Sequence, residues 1–93
     1  MSEYRIYLTD EFRRKNAKLS AHSGISIDRK LEEYVFPRLR QEPHHGPNIK
    51  RLQGYEPLTW RYRVGNYRIF YVIAEDERIV YLLSLDDRKD AYR

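Results

Sequence analysis

The chain contains no cysteine. That excludes disulfides, a thiolate metal site and a cysteine nucleophile. No stretch approaches the roughly 20 consecutive apolar residues of a membrane-spanning helix. The polar, charged first residues also lack the apolar segment of a secretory signal. A cytoplasmic protein with no membrane association is the expectation. Internal repeats, low-complexity tracts and linkers are absent, and 93 residues leave room for a single domain, 1–93. Hydrophobic residues make up 41% and aromatics 14%, nine of them tyrosine, which suffices for a small core. Tyrosine suits a thin protein because its ring packs while its hydroxyl reaches water or a partner.

The formal net charge is +4, and its location says more than its size. Between Asn48 and Ile73, five basic residues (Lys50, Arg51, Arg61, Arg63 and Arg68) are opposed only by Glu56, whereas the rest carries 13 of each sign. The whole excess sits in one segment. A localised basic patch points to nucleic acid or an acidic protein partner; the alternative is a solvated basic face.

Tyr4 to Leu8 alternates apolar and charged residues and reads as a short strand. Thr9 or Asp10 can cap a polar helix running to about His22, with Phe12 and Leu19 as its narrow apolar stripe. Ser23-Gly24 breaks it, and Ser26 can cap a second helix carrying Ile27, Leu31, Tyr34, Val35 and Leu39 at helical spacing. Pro37 should kink or restart that helix. Two helices separated by a short break predict an antiparallel helical hairpin. Glu42 to Pro47, with two prolines and a glycine, is a loop, followed by a connecting segment around Ile49–Leu52.

Three strands then follow at about Thr59–Val64, Tyr67–Ala74 and Arg78–Leu85. A three-residue turn at Glu75–Glu77 would pair Ala74 with Arg78 and set Arg68 opposite Ser84. One face would carry Tyr62, Val64, Tyr67, Ile69, Tyr71, Ile73, Ile79, Tyr81, Leu83 and Leu85, apolar enough to pack on the helices. The other would carry the arginines at one end and Phe70, Val72, Val80 and Leu82 at the other. The fold class is α+β: strand, helical hairpin, then a three-stranded antiparallel meander completing a small twisted sheet.

The most informative segment is Trp60 to Arg68, WRYRVGNYR. Side chains two apart on a strand share a face, so Arg61 and Arg63 project together. A two-residue loop at Gly65-Asn66 pairs Val64 with Tyr67 and sets Arg63 opposite Arg68. Like charges opposed across strands cost a few tenths to about 1 kcal/mol. A fold that accepts this without nearby carboxylates is shaped for an anion, and phosphate is the natural one. Arg88 and Tyr92, beyond the last strand, would follow the same edge. His44-His45 could form an acid–base pair, but is read as an exposed loop pair. Two adjacent histidines make a poor metal site, and no metal or cofactor is implied. Trp60 is assigned to packing, and Tyr71 and Tyr81 to the apolar sheet face.

These segments resemble the RelE/ParE superfamily of bacterial and archaeal toxins. The matching text is Lys50-Arg51-Leu52-Gln53-Gly54, the hairpin Trp60 to Tyr71, and Arg88-Lys89-Asp90-Ala91-Tyr92. RelE-like members cut messenger RNA in the ribosomal A site, through attack of the ribose 2′-hydroxyl on the adjacent phosphate. ParE-like members inhibit DNA gyrase. The resemblance implies the toxin of a type II toxin–antitoxin pair, an endoribonuclease with the ribosome, messenger RNA and an antitoxin protein as partners. It assigns catalysis to Arg61, Arg63, Arg68, Arg88 and Tyr92, with Lys50, Arg51 and Lys89 binding RNA. A ParE-like gyrase inhibitor and a degenerate, non-toxic member are the alternatives.

Overall fold

The computed structural model describes residues 3–23 and 27–87. Its element order is β1 (Arg5–Leu8), α1 (Asp10–Ser23), α2 (Asp28–Lys30), a π-helical turn (Leu31–Val35), α3 (Phe36–Gln41), β2 (Ile49–Arg51), β3 (Trp60–Val64), β4 (Tyr67–Ala74) and β5 (Ile79–Asp87). The five strands form one sheet in the order β1-β5-β4-β3-β2. β1 runs parallel to β5 and every other pair is antiparallel.

Thr9 is the cap of α1: its hydroxyl oxygen accepts from the Phe12 N–H at 3.2 Å. The same hydroxyl reaches the Leu82 and Leu83 carbonyls at 2.9 and 3.1 Å, tying the helix start to β5. Phe12 is fully buried and Leu19 packs at the core's margin, as the stripe predicted. The Asn16 amide donates to Asp28 Oδ1 at 2.9 Å, linking α1 to the next helical segment. The cap assigned to Ser26 lies outside the described residues.

As predicted, the second helix is interrupted at Pro37: α3 restarts at Phe36 with Pro37 in its first turn. The turn before it widens, and the Phe36 N–H donates to the Leu31 carbonyl five residues back. Proline lacks an N–H and its ring crowds the carbonyl four residues earlier, and a wider turn accommodates both. Leu31, Val35 and Leu39 stay in the core. Tyr34, predicted on the same stripe, is 59% exposed. More residues per turn carry a residue three beyond Leu31 further around the helix.

The Ile49–Leu52 connection contains a fifth strand: Ile49, Lys50 and Arg51 pair with Tyr62, Arg61 and Trp60. The β3–β4 hairpin has the predicted register, with Val64 opposite Tyr67 and Arg63 opposite Arg68, and Gly65 takes φ +59° as such a loop requires.

The β4–β5 hairpin differs from expectation. Its loop has four residues, not three, because Arg78 adopts φ +56° and Ala74 pairs with Ile79. A one-residue slip turns every side chain of a strand over. Val80 and Leu82, expected on the open face, are fully buried, while Tyr81 lies on the open face beside Tyr7 at a ring separation of 5.5 Å. An irregularity between Phe70 and Tyr71 then leaves Leu83 without a cross-strand partner. This returns Leu85 to the core as predicted and sets Arg68 opposite Asp86 rather than Ser84.

Candidate functional site

Strand alternation places Lys50, Arg61, Arg63 and Arg68 on the face turned away from the core, since their strand neighbours Ile49, Tyr62, Val64 and Ile69 pack in or against it. Lys50 is directly opposite Arg61, and Arg63 opposite Arg68. Arg61 and Arg68 are half-buried and Arg63 is exposed. Arg51, opposite Trp60, falls on the other side of the alternation and does not join them. Arg88, Lys89 and Tyr92 lie outside the described residues. β5 reaches Asp87, opposite Tyr67, beside this hairpin.

The electrostatics mark these groups as one cluster. Burial lowers the Arg61 guanidinium below its ordinary range, and the charges of Arg63 and Arg68 lower it further. Among the described residues, none of the three arginines forms an ion pair. The carboxylate that the register brings opposite Arg68, that of Asp86, is engaged by Lys15 Nζ at 3.6 Å. Lys15 also holds Glu11 at 3.3 Å and the Ser84 hydroxyl at 2.8 Å. The Nε atoms of Arg61 and Arg68 are occluded from solvent and find no acceptor among the described residues. A buried donor left unpaired costs about 1–3 kcal/mol. Unpaired donors and unneutralised charge in one patch are what a phosphate oxygen satisfies.

A second cluster gathers around His44, between the 42–47 loop and the β4–β5 turn. His44 is not the exposed loop residue expected; only His45 is. Its Nδ1 meets Glu42 Oε2 at 2.8 Å and its Nε2 meets Glu75 Oε2 at 2.6 Å. Its ring stands edge-on to Trp60 at 5.4 Å, and Trp60 packs against the core. Tyr4 donates to Glu75 Oε1 at 2.9 Å under the Arg78 guanidinium, which lies 4.4 Å above the Tyr4 ring. The cluster therefore fastens the 42–47 loop to the β4–β5 turn.

Burial works against the charged form of His44, but the hydrogen bonds to Glu75 and Glu42 outweigh it and raise its pKa. The His44 contacts correspondingly lower Glu42 and Glu75. A raised histidine contributes stability that is complete below its unfolded value, near 6.5, and lost as pH rises through the folded value. The depressed carboxylates contribute above about 4.5 and lose that contribution as pH falls through their folded values. Stability should thus be greatest between about pH 5 and 6.5. The urea midpoint should drop on going to pH 8.5, by a few tenths to about 1 kcal/mol for partly exposed pairs. His44→Gln should flatten that slope; an unchanged slope would remove His44 from the account.

The family model described as ParE toxin of type II toxin–antitoxin system, parDE, matches residues 6–92. A candidate toxin, RelE1 of Methanocaldococcus jannaschii, is 37% identical over 46 residues, half of this chain and half of that protein. The chain thus spans about half the length of that curated relative. Among solved structures, the RelBE2 toxin–antitoxin complex of Mycobacterium tuberculosis aligns with a TM-score of 0.75 at 30% identity, over 95% of this chain and 94% of that one. The RelE–RelB complex of Pyrococcus horikoshii OT3 aligns at 0.69 and 24% identity, over 95% and 97%, a likeness of fold. With a basic hairpin on a strand–helix–sheet frame and a family match over nearly its whole length, the chain belongs to the ParE toxin family of type II toxin–antitoxin systems, within the RelE/ParE superfamily.

Proposed function

We propose that this protein is a ribosome-dependent messenger-RNA endoribonuclease held in check by a cognate antitoxin. The observation that carries the reading is the group of three guanidiniums on one sheet face, two with orphaned Nε donors and none ion-paired among the described residues. In the reaction the ribose 2′-oxygen attacks the adjacent phosphorus and the bond to the 5′-oxygen breaks. The 2′-hydroxyl loses its proton and the departing oxygen gains one, leaving a 2′,3′-cyclic phosphate and a free 5′-hydroxyl. Fixed positive charge aimed at the phosphorane is the assistance such a step needs.

Arg68 is assigned to the scissile phosphate, with Arg61 and Arg63 beside it neutralising charge as it develops. Arginine is a poor base at its usual pKa, so these residues stabilise rather than transfer protons. Arg88 would act at the leaving oxygen and Tyr92 would orient the 2′-hydroxyl or stack on a base. Lys50 extends the cationic track along the RNA backbone, and Arg51 and Lys89 complete the proposed RNA-binding set.

The antitoxin would cover the open face as a segment that folds on binding, its acidic residues meeting the arginines. Its apolar contacts would be Phe70, Val72, Tyr81 and Tyr7, because Val80 and Leu82 are inside the core. The relatives crystallised as RelE–RelB assemblies support such a hetero-oligomer.

The ParE description of the matching family favours a second reading, gyrase inhibition without chemistry. Induction of the protein alone, with 5′ ends mapped on translated messages, separates the two. New ends inside codons support the nuclease. Intact messages with inhibited supercoiling support the gyrase reading, and normal growth with a folded product indicates a degenerate member.

A further inference from the structure

A cleft of about 560 Å³ opens on the helix side of the β3–β4 hairpin, lined by Lys30, Tyr34, Asn48, Tyr62, Arg63 and Gly65 among others. We infer that it is a second nucleotide subsite, in which Tyr34 stacks on a base of single-stranded RNA and Lys30 holds the neighbouring phosphate. The inference rests on the endoribonuclease reading and extends it from the scissile phosphate to a flanking nucleotide.

Arg63 lies on the strand that walls the cleft, while its side chain joins the arginine cluster on the opposite face, so the two sites meet at one hairpin. Lys30 supplies the cation of the cleft. Its Nζ lies 3.0 Å from where a side chain on Gly65 would begin, so the ammonium is drawn over the hairpin turn. Lys30 is not ion-paired among the described residues. An ammonium without a carboxylate partner suits a phosphodiester.

The aromatic element is Tyr34. An amphipathic helix with Leu31 and Val35 on its core side would keep Tyr34 near the same stripe, yet the π turn carries it out to 59% exposure on the cleft rim. Turns of this type recur at functional sites. An exposed ring beside a cation is the arrangement with which proteins hold unpaired bases, by stacking and backbone attraction together. Asn48 adds an exposed amide within reach of a base edge, while its carbonyl accepts from the Arg63 N–H at 3.0 Å and is thereby fixed.

Fluorescence anisotropy with a short 2′-O-methyl single-stranded RNA, which this chemistry cannot cut, tests the assignment on the purified chain. Tyr34→Leu should weaken binding about 5- to 100-fold and Tyr34→Trp should restore it. Lys30→Met should lower the slope of log affinity against log salt by about one, the signature of a lost phosphate contact. Both residues are solvent-facing, and circular dichroism checks that each variant is folded. Wild-type affinity and slope in Tyr34→Leu and Lys30→Met, with Arg68→Ala weakened, overturn the subsite and leave the nuclease reading standing. No RNA binding by the unaltered chain likewise overturns the subsite and leaves the ribosome-dependent reading to the mapping of 5′ ends, whereas binding of duplex DNA in preference to the single strand overturns both.

Discussion

Tyr71→Ala should destabilise the protein by about 4 kcal/mol, within the range for deleting a large buried aromatic. Tyr71 has no exposed surface and sits on β4 opposite Trp60 and Leu82. Its hydroxyl donates to the Pro43 carbonyl at 2.7 Å, which fixes the 42–47 loop from beneath while His44 fixes it from the side. Burial pushes the phenol's pKa well above its ordinary value, with smaller contributions from Tyr62 and Glu42, so the hydroxyl stays a donor through the physiological range. A domain of this size has a total stability on the order of 5–10 kcal/mol, so the alanine variant would be near its unfolding limit. Tyr71→Phe separates the ring from the hydroxyl. It should cost about 1–3 kcal/mol, because the Pro43 carbonyl is left without its donor. Urea denaturation of the three proteins measures both steps. A Phe variant as stable as the parent would show that the loop is held by His44 and packing alone.

On the proposed endoribonuclease reading the second large effect is expected at Arg61, where alanine should reduce the rate of RNA cleavage by about 10²- to 10³-fold, the usual loss for one preorganised charge donor. Arg61 is half-buried with its Nε occluded from solvent, and burial lowers its pKa. A charge held in a partly desolvated position acts more strongly on a developing anion than one in bulk solvent. Arg63→Ala, at an exposed position, should cost less. Neither change should loosen the fold, since each removes a cation that repels its neighbours. Cleavage on programmed ribosomes in single turnover provides the rate, and thermal melting confirms the fold. A loss below about tenfold, roughly 1.4 kcal/mol of barrier, would place Arg61 outside the chemistry.

The residues differ in how much of this was legible from the sequence. The β3–β4 hairpin was read correctly because Gly65-Asn66 names its own loop type, and a two-residue loop dictates every pairing beyond it. That register alone brings Arg61, Arg63 and Arg68 onto one face. The α1 stripe and the buried positions Leu31, Val35 and Leu39 were equally plain, since helical spacing is local.

The misreadings share a different cause. Glu75-Asp76-Glu77-Arg78 contains no glycine or asparagine to betray a left-handed residue, and Arg78 adopts that conformation while its guanidinium lies over the Tyr4 ring. The extra turn residue exchanged the two faces of β5. The apolar strip of the open face changed from Val80 and Leu82 to Tyr81 with Tyr7. Three residues, Ile49 to Arg51, are too few to announce a strand, and only pairing with β3 makes them one. Tyr34 was misplaced because widening of a helical turn before proline follows from packing across several turns.

The amino-acid sequence by itself determined the order of the longer elements, the arginine hairpin and the toxin family, because each follows from spacing within a few residues or from motif text. Tertiary structure alone decided which face of β5 is buried, that Asp86 is occupied by Lys15, that His44 joins two carboxylates distant in the chain, and that Lys30 meets the hairpin turn. Each of these is a contact between segments that no local pattern relates. Their geometry is settled only when the sheet's second face and the helices compete for the same apolar side chains.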